Sequence, residues 1–143
     1  MSLNEPQITI AGNLTGDPEL RFTSIGIACA NFSIAANPRF RDSTSGEWQN
    51  GETVFMRVTA WRDLATNLCE SLRKGDPVLV VGRIRQRTWT PEGSDKEQRF
   101  TEVQADTVAV PMDRRILRLT KVTRESAPED SANNSLENAE TVS

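Results

Sequence analysis

Residues 62–77, "RDLATNLCESLRKGDP", are the one stretch of this chain that keeps a clear helical period. Leu64, Ala65, Leu68, Cys69 and Leu72 fall at i, i+1, i+4, i+5 and i+8, which makes a single apolar stripe. Asp63 reads as the N-cap, Arg73 and Lys74 suit the C-terminal dipole, Gly75 suits the C′ position, and Pro77 cannot continue the helix. The segments around it alternate with the period of strands. "QITIAG" (7–12), "IACANFSIAA" (27–36) and "VFMRVTAW" (54–61) precede the helix, with "ELRFTS" (19–24) extended and broken at "SIG". "VLVVG" (78–82) runs on into "GRIRQRTWT", and "FTEVQADTVAV" (100–110) returns, so 78–110 reads as a long hairpin. Three strands, one helix, then two strands is the order of an OB-fold, a five-stranded barrel with its helix between strands three and four. A mixed α+β sandwich gives a similar string and stays open on pattern alone.

The remaining segments are polar. Residues 37–53 read as a long loop or hairpin tip, and "TPEGSDKEQR" (90–99) as a turn-rich loop. "RRILRLTKVTR" (114–124) suits either a further strand or a short helix. Residues 125–143 hold almost no large apolar group and read as a disordered tail. Charge divides at the same place. Residues 1–124 carry 17 bases against 15 acids, net +2, whereas the tail carries five acids and no base, net −5. A mildly basic body with an acidic tail often accompanies nucleic-acid binding.

Composition narrows the chemistry. Histidine is absent and cysteine is limited to Cys29 and Cys69, both in apolar patterns and read as small core residues, with no disulfide expected. No metal site, cofactor or His-based catalysis is expected, and the chain does not read as an enzyme. No apolar run approaches a membrane span of about 20 residues, and the start lacks a secretory pattern, so the expected location is the cytoplasm.

The faces of the strands are the informative part. On "GRIRQRTWT" (82–90), alternation puts Arg83, Arg85, Arg87 and Trp89 on one face. Three like charges side by side repel one another, so folding alone does not favour such a row. On 54–61, Val54, Met56, Val58 and Ala60 read as core, which leaves Phe55, Arg57, Thr59 and Trp61 on the other face. The 37–53 loop adds Arg39, Phe40, Arg41 and Trp48. Arginines follow a phosphate backbone and flat aromatics stack bases, so these rows suit a single-strand platform. Other readings stand beside this one. Trp61 could finish a core strand, and Phe55 could turn inward after a one-residue slip. Trp48 could be an oligomer contact. The arginine row could be a solvated face paired with Glu97 and Glu102.

The segments "ITIAGNLTGDPELRF", "VFMRVTAWRDLATNLCESLRKGDPVLVVGRIRQRTWT" and "EVQADTVA" resemble the bacterial single-stranded DNA-binding (SSB) proteins over residues 6–110. The resemblance implies an OB-fold domain over 1–110 that binds single-stranded DNA without sequence preference. Such proteins act in replication, recombination and repair, close to the nucleoid, and usually as homotetramers. It places stacking aromatics at Phe40, Phe55, Trp61 and Trp89, and phosphate contacts at Arg57, Lys74, Arg83, Arg85 and Arg87. "VPMDRRILRLTKVTR" resembles the extra C-terminal strand of actinobacterial members, which clamps one subunit to its neighbour, so 111–124 is expected to stabilise an oligomer. The tail ends "ENAETVS", without the Asp run and terminal Phe through which family members recruit replication and repair proteins. That departure points to a specialised paralogue. On the residues alone, an RNA-binding OB protein and an oligomeric interaction scaffold remain alternatives.

Overall fold

A computed structural model describes residues 3–123. The tail reading for 125–143 lies outside these residues. Eight strands and one helix follow in chain order: β1 (Gln7–Leu14), β2 (Glu19–Phe22), β3 (Ala28–Ala36), β4 (Arg39–Arg41), β5 (Trp48–Asn50), β6 (Val54–Trp61), α1 (Arg62–Ser71), β7 (Pro77–Trp89) and β8 (Gln98–Ala109). Among the described residues the fold is all-β with one helix, as expected. Strands β1, β7, β8, β6 and β3 pair in that order, and β3 returns to β1 through Asn13↔Ala35 and Leu14↔Ile34, which closes a ring of five. β2 adds to the outside of β3, while β4 and β5 form a separate two-stranded ribbon inside the expected 37–53 loop.

The inward residues come from the alternation. Ala30, Phe32 and Ile34 of β3, Val58 and Ala60 of β6, Val78 and Val80 of β7, and Val103 of β8 meet inside the ring. Helix α1 adds Ala65, Leu68 and, just past its end, Leu72 to the same core. Closing the ring requires close backbone approach. A Cβ on Gly12 would lie 2.6 Å from the Ala35 carbonyl oxygen, and one on Gly82 would collide with the carbonyl of Gln104.

Both helix ends differ from expectation. β6 stays paired with β3 as far as Trp61, opposite Cys29, so no residue is left for a capping loop. Trp61 becomes the N-cap without a side-chain cap bond, and Asp63 falls in the first turn, where its charge still complements the dipole. The abrupt turn holds Arg62 at φ 60°, a conformation that disfavours a residue with a Cβ. At the other end the helix stops at Ser71. Arg73 folds back to donate to the carbonyls of Cys69 (2.8 Å) and Leu72 (2.7 Å). Gly75, expected at C′, instead takes φ +90° in the turn into β7.

The expected C-terminal strand is not formed within the single chain. Residues 114–123 belong to a second unit and carry no strand or helix. A strand is held by backbone bonds to a neighbouring strand. No helix among the described residues is long and apolar enough to cross a membrane.

Candidate nucleic-acid interface

Register carries the outward side chains of four strands onto one surface. Ser33 of β3 sits opposite Arg57 of β6, and Arg57 sits opposite Glu102 of β8. Glu102 in turn faces Arg85 of β7, with Phe100 opposite Arg87 and Gln98 opposite Trp89. The far half of the β7–β8 hairpin extends beyond the core, and residues 86–90 and 98–101 are exposed on both faces. Between this arm and β6 runs a groove of about 840 Å³ lined by Phe55, Arg57, Arg87, Trp89 and Phe100. Phe55 is 68% exposed and Trp89 57%, which folding alone does not account for in such large apolar rings.

Four of the nine expected site residues therefore share the groove: Phe55, Arg57, Arg87 and Trp89. The other five lie elsewhere. Arg83 and Arg85 are on the same face but each is engaged by a carboxylate. Arg83 reaches Glu5 (2.9 Å) and Asp106 (3.2 Å), and Arg85 reaches the other oxygen of Glu5 (3.0 Å). Trp61 is half-buried at the far end of β6, beside Cys29. Phe40 is exposed on the β4–β5 ribbon, where Arg39 also lies 5.8 Å from the ring centre of Trp48, a cation–π contact. Lys74 is in the exposed turn after the helix, its backbone N–H donating to Asp17 (2.8 Å).

The arginine row is thus not a bare stripe of positive charge. Glu102, whose side chain is only 6% exposed, lies 2.6 Å from Arg87 Nε. Three arginines on the face (83, 85 and 87) pair with three carboxylates (Glu5, Glu102 and Asp106). Like-charge repulsion along β7 is relieved by anions set between the arginines. Glu102 was a partner open to sequence reading; Glu5 and Asp106 were not. Asp106 is the extra residue of a β-bulge, since Val81 pairs with Thr107 and Gly82 with Ala105. The hydrogen bond that Arg83 donates to Glu5 and the charge of Asp106 raise the Arg83 pKa further, so that guanidinium is permanently charged. Arg57 makes no ion pair among the described residues.

Phe100 is the aromatic that sequence reading missed. The signal was available: an antiparallel partner of "RIRQRTW" with Phe100 opposite Arg87 shares its face. Among the described residues no cluster of three or more His, Cys, Asp or Glu side chains could hold a metal ion.

The single-strand binding protein family matches residues 6–111, the whole ring of strands. The chain belongs to this family. Among its relatives, the single-stranded DNA-binding protein of Mycobacterium leprae is 48% identical over 101 residues, covering 71% of this chain and 60% of the relative. That of Corynebacterium glutamicum is 44% identical over 108 residues, covering 76% and 48% respectively. The match therefore spans about three fifths or less of the length of these curated family members. A solved family structure, the small single-stranded DNA-binding protein from Streptomyces coelicolor, superposes with a TM-score of 0.66 at 34% identity. It covers 78% of this chain and 99% of that one. The likeness supports the OB-fold expectation.

Proposed function

We propose that this chain binds single-stranded DNA without sequence preference and performs no catalysis. The observation that carries the reading is the groove between β6 and the β7–β8 arm, where Phe55, Trp89 and Phe100 surround Arg57 and Arg87. Bases stack on the rings, each worth about 1–3 kcal/mol, while the two guanidiniums meet the phosphate backbone. Duplex DNA keeps its bases paired and stacked, so it offers no free faces to these rings. Phe40 and Trp48 extend the stacking surface along the β4–β5 ribbon, and Trp61 and Lys74 serve its margins. Arg83 and Arg85 contribute less than their number suggests, because protein carboxylates already hold them.

The family likeness supports a role in protecting single strands during replication, recombination and repair, in the cytoplasm at the nucleoid. It also supports a homotetramer, with the strand pattern of 114–124 paired to a neighbouring subunit. Titration with oligo-dT at rising salt, followed by tryptophan fluorescence, tests the binding. Deep quenching by the single strand and not by duplex is expected, weakened but not abolished by salt. An equal response to an oligo-ribonucleotide would favour an RNA-binding OB protein instead. Light scattering on a chain ending at residue 113 tests the assembly: loss of the tetramer is expected.

A further inference from the structure

A carboxylate beneath a phosphate-binding surface opposes the charge that surface needs. Glu102 sits in that position, its side chain 6% exposed under the groove. Its contacts explain its presence. One oxygen lies 2.6 Å from Arg87 Nε, and the other is 3.4 Å from the Thr59 hydroxyl, whose single proton it shares with Asn31 Oδ1 at 3.1 Å. β8 is fixed on both sides here, since Glu102 is in register with Arg57 of β6 and Arg85 of β7. The carboxylate is therefore a rigid post at the centre of the face.

Nε is the innermost nitrogen of the guanidinium. The Arg87 side chain remains 56% exposed, and its terminal nitrogens make no hydrogen bond among the described residues. A guanidinium held at Nε leaves its two terminal nitrogens able to meet a phosphate together, in the bidentate geometry that suits Arg and not Lys. An unheld arginine would lose side-chain entropy on forming the same contact.

We propose that Glu102 is a positioning residue for single-strand binding, fixing Arg87 as a phosphate fork in the groove between Phe55, Trp89 and Phe100. The proposal rests on the single-strand reading above. It differs from a simple charge effect, because removing a carboxylate from a basic face should otherwise tighten binding.

The test is oligo-dT affinity of the full-length chain, with Glu102→Ala, Glu102→Gln, Arg87→Ala, Arg87→Lys and the double variant Glu102→Ala/Arg87→Ala. Glu102→Ala is expected to weaken binding by about tenfold, the scale of one charge-assisted contact. Glu102→Gln, which keeps an oxygen facing Nε, should stay near wild type. The Glu102→Ala loss should vanish when Arg87 is already Ala, since coupled residues are not additive. Arg87→Lys should bind as weakly as Arg87→Ala; this arm also decides if Glu102→Ala fails to fold, because residue 87 is exposed. Unchanged or tighter binding by Glu102→Ala, an equal loss in the Arg87→Ala background, or wild-type affinity of Arg87→Lys would each overturn the proposal. Failure of the wild-type chain to bind oligo-dT would instead sink the single-strand reading itself.

Discussion

Arg83 Nη1 donates to Glu5 Oε2 at 2.9 Å, and the second oxygen of the same carboxylate accepts from Arg85 at 3.0 Å. The pair joins the segment before β1 to a strand late in the chain, reinforced where the Ile84 N–H meets the Pro6 carbonyl at 2.9 Å. Glu5 and Arg83 keep only 22% and 24% of their side-chain surface exposed. Such a pair lies between exposed bridges, worth under about 1 kcal/mol, and buried ones that cost several when broken. Glu5→Gln is expected to destabilise the chain by about 1–2 kcal/mol and lower its melting temperature by several degrees. The same variant should tighten oligo-dT binding at low salt, since it takes one anion from a face with four arginines. Calorimetry and a salt titration check both. An unchanged melting temperature would mean the pair holds nothing.

Trp89 and Trp61 should separate binding from folding. Trp89 is 57% exposed on the hairpin arm, so Trp89→Ala should leave stability nearly unchanged. Its loss of one stacking platform should weaken oligo-dT binding by roughly five- to 150-fold. Trp61 is half-buried against β3, so Trp61→Ala should lower stability more and affinity less. Equilibrium binding alongside thermal melts reads out both effects, and a reversed ranking would move the site along β6 toward Cys29.

Gly82 stands at a close approach of the β7 and β8 backbones. A Cβ there would collide with the Gln104 backbone, which is pinned by its own pairing. Gly82→Ala should cost about 1–3 kcal/mol through forced backbone shifts. It should also disturb the bulge that brings Asp106 to Arg83. Gly16→Ala is the control, since nothing lies within 4 Å of a Cβ at that position. Urea unfolding of the two variants should show a large and a negligible change in midpoint.

Burial pushes the thiols of both Cys29 and Cys69 above the ordinary value of 9.0. A raised folded-state pKa means the folded chain holds the proton more tightly than the unfolded one. The stabilising contribution is complete below pH 9 and is lost as pH rises through the raised values. At pH 8 a thiolate-specific disulfide reagent should label the native chain more slowly than the urea-unfolded chain. The native rate should climb steeply above pH 9. Fast native labelling at pH 8 would place a thiol in contact with water as an anion.

Alternation is a local property, and it was legible in the sequence. The inward sets Val58/Ala60 and Val78/Val80 and the outward sets Phe55/Arg57 and Arg87/Trp89 each follow from a side-chain period of two within one strand. The helical stripe of 62–72 was legible for the same reason, because three to four residues per turn can be counted along a few turns. Helix ends were less so. Trp61 is the N-cap because β6 pairs with β3 up to that residue, and pairing is not written in the helix itself.

What only the tertiary structure decided is which charges meet. Arg83 and Arg85 look equivalent to Arg87 within one strand, yet they meet Glu5, 78 and 80 residues away, while Arg87 meets Glu102. Those partners depend on the register of β7 against β8, on its pairing with β1, and on one bulged residue, Asp106. Local sequence determined that a basic, aromatic face would exist, because strand period and residue type suffice for that. Ring closure decided which two arginines stay available on it, because ion pairs form between side chains that only long-range backbone pairing brings within reach.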